Sequence, residues 1–146
     1  MRLKIIAALI FPAIIFAAPA LTADIESARV WRAPDNTRLV FDISDAFDHK
    51  VFSLDNPRRL VIDLKDVSLK TDLSALDIAP TPISKIRSGI RSGSDLRIVL
   101  ELDSQVRVVD FTLKANEQYG DRLVVDLFDK ARVEKPVSKV PAVANR

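Results

Sequence analysis

The sequence predicts an all-β protein, a sandwich of two similar four-stranded sheets, and three observations lead to that fold class. Apolar and polar residues alternate with a period of two in eight segments, which is typical of half-buried strands. Turn-forming residues such as Pro34-Asp35-Asn36 interrupt these segments at short intervals. Related strand sequences occur twice along the chain, which indicates a duplication. Two sheets that each carry one apolar face become stable by packing those faces together.

The first 23 of the 146 residues are interpreted as an export signal and set apart from the fold. Arg2 and Lys4 precede an apolar run over residues 5–18, and small residues follow. The run is too short to cross a bilayer, so the pattern indicates a Sec-type signal peptide. Together with the absence of cysteine, it predicts a periplasmic protein. Cleavage is expected after Ala20 or Ala23, and the second site is favoured because a proline adjoins the first.

Eight strands are expected between residues 24 and 129. Their predicted bounds are 25–32, 37–43, 49–54, 59–64, 83–90, 95–102, 106–113 and 121–128. One long connection, residues 65–82, separates the fourth strand from the fifth. A helical turn over residues 72–76 is expected to place Leu73 and Leu76 over one end of a sheet.

Two strand sequences of the first half recur in the second half. RLVFDI (38–43) matches RIVLEL (97–102), and RRLVIDLKD (58–66) matches DRLVVDLFD (121–129). A longer turn before the last strand accounts for the different offsets of the two matches. The repeat predicts that each half of the core builds one sheet of four strands.

Strand parity assigns the same outward triplet, Arg-Val-acid, to four strands. Successive side chains of a strand point to opposite faces, so alternate residues are buried and the others face solvent. The buried residues of one strand are expected to be Leu39, Phe41 and Ile43, with equivalent aliphatic residues in the other three. The outward triplets are Arg38-Val40-Asp42, Arg59-Val61-Asp63, Arg97-Val99-Glu101 and Arg122-Val124-Asp126.

The outward pattern has a structural and a functional interpretation, and the two are compatible. Opposite charges on neighbouring strands stabilise a sheet by roughly 0.2–1 kcal/mol per pair, and a charged face discourages association between sheet edges. A flat face of guanidinium groups also suits a polymer rich in carboxylates, amides and hydroxyls. In that case the exposed valines are expected to form an apolar floor beneath the ligand.

Aromatic side chains that can stack on a ligand are scarce. Trp31 is expected to be partly buried near the end of the first strand, and Tyr119 is expected to be exposed in the turn before the last. Phe41, Phe52 and Phe111 are expected to fill the core.

Composition excludes several classes of function. The core between residues 24 and 129 carries 15 basic and 19 acidic residues, which suits a polyphosphate poorly and argues against nucleic-acid binding. A single histidine, His49, and no cysteine leave too few ligands for a catalytic zinc, which normally takes three from the protein. Three glycines build no phosphate loop, and no GxSxG motif occurs. The residues present predict a binding protein without a cofactor rather than an enzyme.

Residues 130–146 are predicted to be a linker or a tail. They include five basic residues, one acidic residue and two prolines, and they show no hydrophobic periodicity. Two interpretations stay open, a linker to a following domain and a disordered terminus.

Four ordered motifs of the core resemble the AMIN domain. They are TRLVFDIS, FSLDNPRRLVIDL, ISKIRSGIRSGSDLRIVLEL, and FTL followed by GDRLVVDL, and the resemblance as a whole extends over about residues 25–129. One departure is Ile90, which stands where the family commonly has glutamine. AMIN domains lie near the N-terminus of periplasmic N-acetylmuramoyl-L-alanine amidases of Gram-negative bacteria and of some pilus secretins. The resemblance implies two four-stranded sheets, peptidoglycan binding, and delivery of an amidase to the division septum.

On this resemblance we expect the N-terminal part of a cell-wall amidase: a signal peptide (1–23), a non-catalytic AMIN domain (24–129) and a linker (130–146). Zinc is expected only in a catalytic domain beyond the chain. Peptidoglycan is the expected partner, with divisome proteins as a further class, and no membrane span is expected after signal cleavage. The alternatives are a module of a pilus secretin and a free-standing periplasmic protein. The residues expected to bind peptidoglycan are Arg38, Arg59, Asp63, Arg87, Arg97, Arg122 and Asp126.

Overall fold

The computed structural model describes residues 22–130 as two sheets that pack face to face, so the predicted sandwich is confirmed. The predicted signal peptide (apart from its last two residues) and the predicted tail beyond Lys130 lie outside the described residues. Within residues 22–130, no helix is long and apolar enough to cross a membrane.

The strands follow the predicted segments to within two residues at each end. Their bounds are β1 (Ala23–Arg32), β2 (Asn36–Ile43), β3 (Asp48–Leu54), β4 (Arg59–Lys65), β5 (Val67–Leu69), β6 (Ile83–Arg91), β7 (Asp95–Leu102), β8 (Val106–Leu113) and β9 (Asp121–Asp129). The three-residue strand β5 lies within the predicted connection and was not anticipated. A short 3-10 helix (Leu73–Ala75) follows β5 and buries Leu73, as the sequence predicts.

Each sheet combines strands from both halves of the chain. The strand orders are β5-β1-β2-β9-β8 and β3-β4-β7-β6. The prediction that each half builds one four-stranded sheet is therefore wrong. Residues 44–47 and 103–105 carry the chain from one layer to the other. Layers of a sandwich lie about 10 Å apart, so a connection of three or four residues is long enough to cross between them.

The sequence repeat relates one sheet to the other. β2 corresponds to β7, and β9 corresponds to β4. β2 pairs with β9 at the centre of the five-stranded sheet, and β4 pairs with β7 at the centre of the four-stranded sheet. Both central pairs are therefore built from the same two repeated sequences. Residues that the repeat matches occupy equivalent places on opposite sides of the molecule.

The core lies between the layers and consists mainly of the inward aliphatic residues that strand parity predicts. Burial removes each of these side chains from water, which contributes roughly 1.5–3 kcal/mol for a large aliphatic or aromatic group. The largest fully buried side chains are Phe41, Ile25, Leu39, Ile43, Leu60, Ile62, Leu64, Leu96, Ile98, Leu100, Leu123 and Leu127. Leu76 packs partly buried against this cluster, as predicted.

The beginning of β1 is part of the fold. Ala23 is 4% exposed and belongs to the core cluster. Its backbone N–H donates to the carbonyl of Asp66 at 3.2 Å, and it pairs with Val67 in the parallel β1–β5 ladder. The ordered domain therefore starts no later than Ala23.

Candidate functional site

The outer faces of the two sheets carry the predicted binding residues. We call the outward side of the five-stranded sheet the five-strand face and that of the four-stranded sheet the four-strand face. The register places Arg38, Arg122 and Asp126 on the five-strand face and Arg59, Asp63, Arg87 and Arg97 on the four-strand face. The two faces point in opposite directions, so these residues form two separate groups.

At the centre of the five-strand face, an arginine forms a bidentate ion pair with a buried carboxylate. Arg38 donates from Nε and Nη2 to the two oxygens of Asp126, each at 2.7 Å. Asp126 is only 4% exposed, whereas the arginine is exposed. The Arg38 guanidinium carbon lies 5.8 Å from the centre of the Phe111 ring. Hydrogen bonding to Asp126 raises the pKa of Arg38 above its ordinary value.

The four-strand face repeats this arrangement with the equivalent residues. Arg97 donates from Nε and Nη2 to Asp63, again at 2.7 Å for each bond, and its guanidinium lies 5.7 Å from the Phe52 ring. Arg91 adds a third hydrogen bond to Asp63 at 3.1 Å. Hydrogen bonds from Arg97 are the main reason that the pKa of Asp63 lies below its ordinary value, and they outweigh the opposing effect of burial. Each face thus holds one Arg-Asp-Phe cluster.

A second ion pair flanks each cluster. On the five-strand face Arg29 donates to both oxygens of Asp42 at 3.0 Å. On the four-strand face Arg87 contacts Glu101 at 2.9 Å. Arg29 and Arg87 lie opposite equivalent valines in the register, so this pair is repeated as well. Arg29 was not predicted as a site residue, although the equivalence of the two faces relates it to Arg87.

Two of the predicted arginines are left without a carboxylate. Arg122 lies opposite Asp42 in the register and Arg59 lies opposite Glu101, but both acids are engaged by the flanking pairs. Within residues 22–130 neither Arg59 nor Arg122 forms an ion pair. Arg59 donates from Nε to the Pro57 carbonyl, and Arg122 lies 4.9 Å from the Tyr119 ring. Arg107 of the five-strand face likewise forms no ion pair among residues 22–130, and its guanidinium lies 4.3 Å from the Phe128 ring. These unengaged guanidinium groups, Arg59 on one face and Arg107 and Arg122 on the other, are available to an anionic or polar ligand.

The predicted apolar floor of valines is mostly covered. All four valines point outward as expected, but Val40, Val61 and Val124 are buried and Val99 is half-buried. The reason is that long side chains of the neighbouring strands lie beside them: Val61 is opposite Phe52, and Val124 is opposite Phe111. A ligand on either face therefore meets arginines and aromatic rings rather than valines.

The aromatic residues are distributed differently from the prediction. Phe41 is buried in the core and Tyr119 is exposed, which confirms two expectations. Phe52 and Phe111 were expected in the core, and both lie on the outer faces instead. Trp31 was expected to be partly buried, yet it is 51% exposed on the five-strand face, with the guanidinium of Arg29 at 5.4 Å from its ring.

The sole histidine lies on neither outer face. His49 Nε2 and a carboxylate oxygen of Asp110 are 2.8 Å apart, which joins the edge strands β3 and β8 across the open side of the sandwich. Among residues 22–130, no group of three or more His, Cys, Asp or Glu side chains is arranged to hold a metal ion.

Acid should weaken the four-strand cluster through Asp63. Because its pKa is lowered in the folded state, Asp63 contributes stability above the ordinary aspartate value of about 3.9, and that contribution is lost as the pH falls through the lower folded-state value. We expect the free energy of unfolding of Asp63→Asn to fall less steeply than that of the wild type between about pH 5 and pH 2. Urea titrations followed by circular dichroism measure both slopes. Equal slopes for the two proteins would contradict the stabilising role assigned to ionised Asp63.

Comparison with known proteins finds a match to one protein family and similarity to two amidases. The AMIN domain family matches residues 27–127. The chain is 35% identical over 115 residues to the N-acetylmuramoyl-L-alanine amidase AmiC of Neisseria meningitidis serogroup B, which covers 76% of this chain and 27% of that protein. It is 32% identical over 113 residues to the enzyme of the same name from Escherichia coli O6:H1, covering 75% of this chain and 27% of the relative. The chain therefore matches about a quarter of the length of these relatives.

Proposed function

This chain belongs to the AMIN domain family, and from that premise we propose that its core binds peptidoglycan and brings an N-acetylmuramoyl-L-alanine amidase to the cell wall at the division septum. The observation that carries the proposal is the repeated cluster, together with unengaged arginines on each face. The similarity to two amidases supports an amidase as the protein that is delivered.

The chemistry of both faces suits this polymer. Peptidoglycan presents carboxylates and amides on its stem peptides and hydroxyl and acetamido groups on its sugars. Arg59 and Arg122 can donate forked hydrogen bonds to such groups, and a charge-assisted bond is stronger than a neutral one. The Arg-Asp pairs fix the surrounding side chains, so little conformational entropy is lost when a ligand binds.

Cosedimentation with purified sacculi tests the proposal. We expect an Arg59→Gln/Arg122→Gln variant to bind at least about tenfold more weakly than the wild type, because a hydrogen bond to a charged group contributes more than 1 kcal/mol. Glutamine keeps most of the aliphatic stem, so packing changes little. Arg32→Gln is the matched control, since Arg32 pairs with Asp129 at the end of β1 and away from both outer faces. Equal sedimentation of all three proteins would remove Arg59 and Arg122 from the site.

Hydrolysis is assigned in this proposal to a domain beyond the chain. The described residues do not fit a catalytic zinc, because they contain no suitable group of ligands. No catalytic step is therefore assigned to residues 22–130. The length and mass of the native protein test this part of the proposal, which requires a zinc hydrolase domain after the linker.

We further propose that the protein is exported to the periplasm and cleaved after Ala20 rather than after Ala23. Cleavage after Ala23 would remove a buried residue of β1 together with its bond to Asp66. It would also place a charged amino group on Asp24, whose N–H donates to Ser44 Oγ at 2.8 Å. We expect the intact mass of the periplasmic protein to correspond to an N-terminus at Leu21. A mass that corresponds to an N-terminus at Asp24 would contradict this.

A further inference from the structure

The two faces have diverged in charge around their shared cluster. Lys50 on the four-strand face occupies the place that Val109 has on the five-strand face, because each lies opposite the aspartate of its cluster. Lys85 likewise replaces Ser27, each being opposite the acid of the flanking pair. Both substitutions add a cation to the four-strand face at a position that is neutral on the other face. The exchange is reversed at one edge position, where Asp48 of the four-strand face corresponds to Arg107 of the five-strand face, so the charge difference is concentrated around Asp63.

Arg91 increases this difference. Its exposed side chain contacts Asp63, which already has Arg97 as a bidentate partner and Lys50 as its cross-strand neighbour. Three cations therefore surround Asp63 on the four-strand face, and the cross-strand neighbour of Arg91 adds a second acid, Asp95. The aspartate of the five-strand cluster is bound by a single arginine. The four-strand cluster has an excess of positive charge and the five-strand cluster is neutral, although the unengaged Arg107 and Arg122 lie on the same face as the neutral cluster, against the Phe128 and Tyr119 rings.

The five-strand face has gained aromatic rings instead. Trp31 lies opposite the cluster arginine of its sheet, and the equivalent position on the other face is Gly89. Phe111 and Tyr119 are 37% and 45% exposed. Trp31 and Phe111 lie beside Arg38, and Tyr119 lies beside Arg122 on the same face. Exposed rings on a rigid sheet offer flat apolar surfaces whose orientation is already fixed.

We infer, resting on the proposed function, that the two faces bind different parts of peptidoglycan: the four-strand face takes the free carboxylates of stem peptides, and the five-strand face stacks on the sugar rings of the glycan. Charge complementarity assigns the carboxylates, because the three cations around Asp63 exceed what Asp63 and Asp95 together neutralise. The neutral cluster suits an uncharged chain. Its rings pack against the C–H faces of a pyranose, and its paired Arg and Asp groups exchange hydrogen bonds with hydroxyl and acetamido groups.

This division has a consequence for binding to the wall. The faces point in opposite directions, so one domain contacts two neighbouring segments of the polymer at once. Two linked contacts on a fixed lattice give an avidity that neither face reaches alone.

Calorimetry with two double variants and three ligands tests the inference. Lys50→Gln/Arg91→Gln changes the four-strand face, and Trp31→Ala/Tyr119→Ala changes the five-strand face. Asp63 keeps Arg97 in the first variant, and the second removes only exposed rings. The ligands are soluble peptidoglycan fragments, the same fragments with their carboxylates converted to amides, and glycan chains freed of peptide.

We expect amidation to weaken wild-type binding at least about tenfold, as the loss of charge-assisted bonds predicts, and to affect the Lys50/Arg91 variant far less. The Trp31/Tyr119 variant should lose binding to peptide-free glycan, whereas the Lys50/Arg91 variant should retain it. Lys70→Gln/Lys114→Gln, which removes two exposed cations outside both clusters, should behave as the wild type does.

The outcomes separate the inference from the proposed function. If the wild type binds none of the three ligands and does not sediment with sacculi, the proposed function fails and the inference fails with it. If the wild type binds but amidation has no effect, or both variants lose affinity equally for every ligand, the division between faces is overturned while peptidoglycan binding stands.

Discussion

Arg38→Ala is expected to lower the free energy of unfolding by about 3 kcal/mol, whereas the equivalent Arg97→Ala lowers it by only about 1 kcal/mol. The two arginines make the same bidentate bonds, but their partners differ in burial. Asp126 is 4% exposed and loses its one ion-pair partner among the described residues. The Asp63 side chain is 18% exposed and keeps Arg91. A carboxylate left buried without a partner costs far more than one that water and a second arginine reach.

Urea unfolding of both variants at neutral pH measures this difference. A double variant, Arg38→Ala/Asp126→Asn, should recover much of the lost stability, because the amide carries no charge that needs a partner. Equal losses for the two single variants, or no recovery in the double variant, would contradict the argument from burial.

The same comparison separates structure from binding in each cluster. On the five-strand face the Arg38–Asp126 pair is part of the packing, since one partner is buried. On that face the groups available for ligand contact are the unengaged Arg107 and Arg122 and the exposed aromatic rings. On the four-strand face the acid is more accessible and more cations surround it, so the pair itself belongs to the surface that a carboxylate meets. The outward charged residues therefore have a mainly structural role in the cluster of the five-strand face, whereas on the four-strand face they also belong to the proposed binding surface.

Strand positions and inward faces were predictable because the aliphatic alternation is strong in the four repeated strands. In β4 the inward set is Leu60, Ile62 and Leu64, and three of the four outward residues are charged. A shift of one residue would bury Arg59 and Asp63, so only one assignment of inward and outward residues is compatible with the sequence. Sheet membership was not predictable in this way. A repeat shows which strands resemble each other, but not which sheet each strand joins. The four hairpins β1–β2, β3–β4, β6–β7 and β8–β9 are compatible with two arrangements: each half forms its own sheet, or each sheet takes hairpins from both halves.

The aromatic part of the candidate site was missed because β3 and β8 lack a clear alternation. In β8 the outward set contains Val109, Phe111 and Leu113, which is more apolar than the inward set with Asp110. Hydrophobicity alone therefore places Phe111 in the core. What decides otherwise is the pairing of β8 with β9, together with the contact of Asp110 to His49 across the layers. Both are tertiary features that a single strand sequence does not contain.

Phe41 and Phe111, which hydrophobicity treats alike, should therefore respond to truncation in opposite ways. Phe41→Ala empties the centre of the core and is expected to cost about 3–5 kcal/mol. That is a large share of the 5–15 kcal/mol that roughly bounds the stability of a small domain, so much of the variant should be unfolded at moderate urea concentrations. Phe111→Ala removes an exposed ring and uncovers Val124, and is expected to cost about 1 kcal/mol.

Urea unfolding of both variants, together with calorimetry of Phe111→Ala on peptide-free glycan, tests this pair of expectations. We expect the second variant to remain folded and to lose glycan affinity, because Phe111 is one of the rings around the Arg38 cluster. A loss of stability as large as that of Phe41→Ala would mean that Phe111 contributes to packing, as its hydrophobicity suggests. Unchanged stability and unchanged glycan affinity would leave Phe111 without a role on the five-strand face, and the rings that stack on sugar would be reduced to Trp31 and Tyr119.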